Sequence, residues 1–149
     1  MLRGMPAIAA NDLHKLQTRP TRLPETRTKS VHIVETCVRY AESVRYQGLT
    51  LSALSTVSGW SERRVHDAFC ECHGMSPMLY LRLIALREVR GMLVARPYQY
   101  DTVARAASDY GFWHLSRFAG QYRALFGELP HETMMRSRHV AKPQSAESG

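Results

Sequence analysis

Apolar residues recur along this chain at intervals of three and four, the spacing that gathers them on one face of a helix. Val31, Val34, Val38 and Ala41 form the first stripe and predict a helix over 31–47, ended by Gly48. Thr50 is placed to cap a second helix over 51–58. A third follows Ser61, with Val65, Ala68, Phe69 and Cys72 on one face, and stops at Gly74. Ser76 and Pro77 supply an N-cap and a first-turn proline for a fourth helix over 77–95. That helix carries Leu79, Leu83, Leu86, Val89 and Leu93, and also Tyr80, Ile84 and Met92, so it is expected to pack on more than one side.

Pro97 closes it. A fifth helix, 102–110, aligns Val103, Ala106, Ala107 and Tyr110. A sixth, 114–126, is expected to bury Leu115, Phe118, Tyr122 and one of Leu125 or Phe126. Gly127 ends it, and Pro130 starts a short last helix. No segment of useful length alternates with the period of a strand. The expected fold is all-α: a seven-helix domain over 31–138, with a linker-like tail over 1–30 and a polar tail over 139–149.

The stripes repeat. Leu54 matches Ala106 and Gly59 matches Gly111, each 52 residues apart. Beyond that glycine the offset becomes 53: Ser61 matches His114, Val65 matches Phe118, Phe69 matches Tyr122, Gly74 matches Gly127, and Pro77 matches Pro130. Each copy runs short helix, glycine, cap, longer helix, glycine, proline-started helix. Two helices joined by a tight glycine turn make a helix-turn-helix unit, and in DNA-binding examples the second helix enters the major groove. A plain bundle of αα-hairpins is the alternative. The duplicated turn, with matched caps and stops, favours two helix-turn-helix units joined by the long fourth helix. At 1.5 Å per residue that helix is about 28 Å long. It can therefore hold two recognition helices about one DNA turn, ~34 Å, apart.

The polar faces supply candidate contacts. Opposite the apolar face of the third helix lie Arg63, His66, Asp67 and Cys70, with Arg64 at the edge. An arginine in the first turn of a recognition helix can donate two hydrogen bonds to guanine O6 and N7. His66 can bond a base or a phosphate. Asp67 is repelled by phosphates unless it accepts from cytosine N4 or orients Arg63 or Arg64. On the sixth helix the outward face is Ser116, Arg117, Gly120 and Gln121, with His114 at the cap. Ser116 and Arg117 are the preferred contacts there, Gly120 either allows close backbone approach or is neutral, and Arg123 suits a phosphate.

Charge changes this picture only a little. The 149 residues carry a formal net charge of +7. Residues 31–138 hold 13 Lys+Arg against 10 Asp+Glu, whereas residues 1–30 hold six against two, so much of the surplus sits on the tail. A solvated basic tail explains that surplus as well as DNA binding does. No run of eighteen apolar residues offers a membrane span, and the N-terminus lacks the pattern of a secretory signal. Three cysteines, an odd number, do not suggest a disulfide framework, and a reducing cytoplasm is the simplest setting.

The residues Leu51-Ser-Ala-Leu-Ser-Thr-Val-Ser-Gly-Trp-Ser-Glu-Arg-Arg-Val, then Phe69 and Gly74-Met-Ser-Pro-Met-Leu-Tyr-Leu, resemble the AraC/XylS family of bacterial regulators. So do Tyr110-Gly-Phe-Trp-His-Leu-Ser-Arg-Phe-Ala and Tyr122-Arg-Ala-Leu-Phe-Gly-Glu-Leu-Pro. The Gly-Phe before the sixth helix and the closing Phe-Gly-x-x-Pro are the most specific elements, and the resemblance covers 31–138. It implies promoter DNA and RNA polymerase as partners, usually for activation. Carried over by position, it implies DNA contacts at Arg63, His66, Asp67, Ser116, Arg117 and Gly120. The chain departs from the pattern at Asp67, a position often basic or small and polar. It departs again at Leu129, which stands where a serine usually caps the last helix. Most members also carry a sensor or dimerisation domain before this one. The expectation is the DNA-binding part of a longer regulator, the competing one a stand-alone regulator.

Other chemistries fit less well. Cys70, Cys72 and His73 cluster, but residues two apart on a helix point to different sides and no fourth zinc ligand is suitably spaced. No phosphate loop, HExxH or nucleophile with a base in reach is present, so neither catalysis nor a cofactor is expected. A non-specific DNA binder, or an inactive fragment of a longer regulator, is the remaining alternative.

Overall fold

The computed structural model describes residues 24–142. Among them are seven helices and no strand: α1 (Pro24–Ser43), α2 (Leu51–Ser58), α3 (Glu62–His73), α4 (Pro77–Ala95), α5 (Val103–Asp109), α6 (Leu115–Phe126) and α7 (Pro130–Ala141). The all-α architecture expected from the stripes is the one found.

The caps follow the sequence signals closely. Thr50, Ser61, Ser76 and Thr102 each sit in extended backbone, and each accepts a hydrogen bond from the amide three residues on. Gly59, Gly74 and Gly127 end α2, α3 and α6 in the left-handed conformation, which lacks a steric penalty only without a Cβ. His114 offers α6 no side-chain cap. Leu129 cannot cap α7, yet the Glu132 carboxylate accepts from the Leu129 amide at 2.7 Å, which is half of a capping box.

α1 departs from expectation. It begins seven residues before position 31, so 24–30 belong to the helix rather than to a linker. Its buried stripe is Ser30, Ile33, Val34, Cys37 and Ala41, while Val31 is exposed. The buried stripe differs from the expected one because a polar residue belongs to it. Ser30 is fully buried, accepting from Arg64 Nη2 at 2.8 Å, with its hydroxyl 2.5 Å from Glu71 Oε2. The helix also stops at Ser43, short of 47. Arg45 and Tyr46 then adopt φ of 50° and 60°, a conformation costing non-glycine residues on the order of 1–3 kcal/mol unless surroundings enforce it.

Two cores result. Ile33, Cys37, Leu54, Val65 and Phe69 fill the first with Leu81 and Ala85 of α4. Ala106, Ala107, Phe118, Tyr122 and Met134 fill the second with Leu86, Val89 and Leu93 of the same helix. The linker helix is thus apolar around much of its circumference because each half of it serves a different core.

The units also touch directly, through the turn after α1. Gln47 Nε2 donates to the Asp109 carbonyl at 3.2 Å, Arg45 pairs with Asp109 at 3.8 Å, and Tyr46 stacks on Tyr110. Gly111, at φ 84°, lies so close that a Cβ would sit 2.5 Å from the Tyr46 carbonyl oxygen. The left-handed turn at Arg45 and Tyr46 is held by this docking.

Candidate nucleic-acid interface

In each unit a short helix turns through a glycine into a longer one: α2 into α3 at Gly59, and α5 into α6 at Gly111. The inward face of α3 buries Val65, Ala68 and Phe69, and that of α6 buries Phe118 and Tyr122. What remains outward is fixed by the helical period.

On α3, Arg63, His66 and Asp67 are exposed, as expected. Arg64 is not free to reach outward. Its guanidinium donates to Ser30, lies 3.8 Å from Glu71, and sits 6.0 Å from the Trp60 ring centre. It ties α3 to α1, so these internal contacts compete with the DNA contact expected of it. Asp67 lies 3.9 Å from His66 Nδ1, so its near neighbour is His66 rather than Arg63 or Arg64. Cys70 Sγ is 3.6 Å from the same nitrogen. Burial, then the charges of Asp67 and Glu71, push the Cys70 thiol up from its ordinary value.

On α6, His114, Ser116, Arg117, Gly120 and Arg123 are exposed, and Gln121 is half-buried. A Cβ added at Gly120 would meet nothing within 4 Å, so no internal contact demands a glycine there. Leu115, expected in the core, is 46% exposed. It opens the helix, where its stripe runs past the last core neighbour. Arg117, Gln121 and His114 also line a cleft of about 310 Å³ between the two units, closed on the other side by the linker helix and the turn after α1.

Sequence reasoning passed over three residues here. Trp60 and Trp113, 41% and 68% exposed, each immediately precede a recognition-helix cap. The match of Ser61 to His114 already placed the two tryptophans at equivalent positions. The third is Arg82, a charged residue in the apolar run of α4 that lines the cleft. Among the described residues no group of three or more His, Cys, Asp or Glu converges as a metal site. No helix there is long and apolar enough to cross a membrane.

The family described as a helix-turn-helix domain matches residues 54–136. XylDLEGF operon transcriptional activator 3 of Pseudomonas putida is 32% identical over 131 residues, 88% of this chain and 39% of that protein. A solved structure from Rhodopseudomonas palustris, a "probable AraC family transcriptional regulator", superposes with a TM-score of 0.63 at 32% identity, covering 70% of this chain and 96% of the other. The chain belongs to the AraC family.

For an AraC family chain, α2–α3 and α5–α6 are the two helix-turn-helix units of the domain. A second relative, XylDLEGF operon transcriptional activator 2 of Pseudomonas putida, is 35% identical over 100 residues, 67% of this chain and 64% of its own length. The chain therefore spans 39% and 64% of the length of these two relatives.

Proposed function

We propose that this chain is a cytoplasmic, sequence-specific regulator of transcription that activates by placing α3 and α6 in successive major grooves of a promoter. The domain proposed for this is 31–138, extended back along α1 to residue 24. The observation that carries the reading is the duplicated exposed face. Arg63 and His66 in one unit, and Ser116 and Arg117 in the other, stand on helices whose opposite faces are locked in separate cores. The linker helix and the Gly111–Tyr46 docking fix their separation, so one chain does the work of a dimer of single units. Relatives named as transcriptional activators support activation, with RNA polymerase as second partner.

Within this reading the residues divide by role. Arg63 reads a base, His66 and Asp67 form a local pair beside it, and Ser116 and Arg117 act at the second groove. Gly120 lets the duplex backbone approach. His114, Gln121 and Arg123 position the complex on phosphates.

Selection of binding sites from random duplex DNA tests this. A common motif with two half-sites about 10 base pairs apart is expected. In the selected site, Arg63→Ala should cost about 1–3 kcal/mol of binding and relax preference at one base pair. Enrichment without a motif would instead support non-specific binding. Asp67, half exposed on the recognition face, is the feature that favours that second reading.

A further inference from the structure

Among the described residues Trp113 is the most exposed of the large aromatic side chains, at 68%. The backbone that carries it is fixed. Gly111 is docked against the Tyr46 carbonyl, and the Phe112 ring packs on buried Phe118 with 4.8 Å between ring centres. The next residue, His114, is the N-cap of α6, so the indole stands at the leading end of that helix. Trp113, Arg117 and Gln121 line one cleft, so the indole extends the side of α6 that bears them. Its counterpart Trp60 is less exposed, and the Arg64 guanidinium lies 6.0 Å from its ring centre. A rigidly mounted indole gains by burying its faces against an apolar surface. In the major groove of a duplex that surface is the C5-methyl of thymine, and the N-terminal end of a recognition helix is the part that reaches base edges.

We propose that Trp113 reads thymine, its indole packing on the C5-methyl group of a thymine in the major groove that α6 enters. The inference rests on the proposed function, because it requires the first turn of α6 to lie at base edges. It adds a specificity residue that belongs to neither recognition helix. The cationic Arg117 beside the indole suits a polyanionic duplex, which decides for DNA over an apolar protein surface. The two units then read by different chemistry. Arg63 donates hydrogen bonds in the first groove, and Trp113 excludes water from a methyl group in the second.

The test uses the full chain on its selected site. Each thymine is replaced singly by deoxyuridine, which removes the methyl group and keeps every hydrogen bond. A replacement in one half-site should weaken wild-type binding about fourfold, the scale of burying one methyl group. Trp113→Ala should lose about fourfold or more on the thymine site and be almost indifferent to the same replacement. It should keep the wild-type salt slope, because no charge is removed. Trp113→Phe should keep part of the thymine preference. A second measurement leaves position 113 intact. The chain has two tryptophans, so in Trp60→Phe the indole emission comes from Trp113 alone. That emission should shift to the blue, and resist acrylamide quenching, when the selected duplex is added. A scan in which no thymine matters overturns the contact. So does a Trp113→Ala variant that keeps the full sensitivity, a motif without an A·T pair in either half-site, or an emission that the duplex leaves unchanged. A Trp113→Ala variant that binds like wild type but activates less would place the indole on a protein, and overturns the contact too. Failure to select any motif would overturn the functional reading itself, and the contact with it. A motif that tolerates uracil throughout overturns the contact alone.

Discussion

Gly111 and Gly120 sit nine residues apart, yet their substitution by alanine should move stability in opposite directions. Gly111 needs its positive φ and faces the Tyr46 carbonyl, so Gly111→Ala should cost more than about 1 kcal/mol in denaturant unfolding. Gly120 lies in a helix with open space where a Cβ would point, so Gly120→Ala should stabilise by about 1 kcal/mol. If the duplex backbone approaches Gly120 as proposed, the same variant should bind its site more weakly while being the more stable protein. Arg63 and Arg64 make a similar contrast. Arg64→Ala should lower unfolding stability by about 1–3 kcal/mol, since it removes the guanidinium that meets buried Ser30 and the Glu71 carboxylate. Arg63→Ala should leave stability near wild type. At this scale the sequence was legible where a residue's type decides its side of the helix, as for Phe69, Phe118 and Arg63. It was not legible where a polar side chain is satisfied by partners far along the chain. Ser30 and Arg64 are 34 residues apart, and only the fold brings them together.

The helices themselves were legible because their ends are written in single residues. Thr50, Ser61, Ser76 and Thr102 cap, and Gly59, Gly74 and Gly127 stop. α1 differs from the expectation at both ends: Pro24 marks its first turn, but no apolar stripe follows until after Ser30. Its stripe starts with a serine, and its end is a left-handed turn at Arg45 and Tyr46 enforced by the other unit. α7 illustrates compensation within an element. Leu129 gives no side-chain cap, but Glu128 just before it anchors the helix start. Both side-chain oxygens of Glu128 meet Arg136, one of them at 2.8 Å, and one also accepts from Thr133 at 2.7 Å and Arg90 at 3.4 Å. These contacts hold the Glu128 carboxyl down at about 2, against an ordinary 4.5, chiefly through its hydrogen bonds to Arg136 and Thr133. A carboxyl depressed in the folded state stabilises above its unfolded pKa, and that contribution is lost as pH falls toward the folded value. Stability should therefore decline as pH drops from about 4.5 toward about 2. Glu128→Gln should be less stable than wild type at pH 7 and show a shallower acid decline over that window.

At the scale of the molecule, two small cores share one helix, and that sharing determines what the chain can hold. Leu81 and Ala85 belong to one core, Leu86, Val89 and Leu93 to the other, so α4 cannot tilt for one unit without disturbing its neighbour. Gln47, Tyr46 and Gly111 add a second tie. The repeat made the two units legible in the sequence, and with them the candidate faces. The second tie was not, because it depends on a turn whose backbone conformation no local residue preference dictates.

The two recognition helices, held at fixed separation, are the central claim. Hydroxyl-radical footprinting of the full chain on its selected site measures it directly. Two protected patches on one side of the duplex, about 10 base pairs apart, are the expected result. A single patch, or protection spread evenly over the duplex, would contradict it.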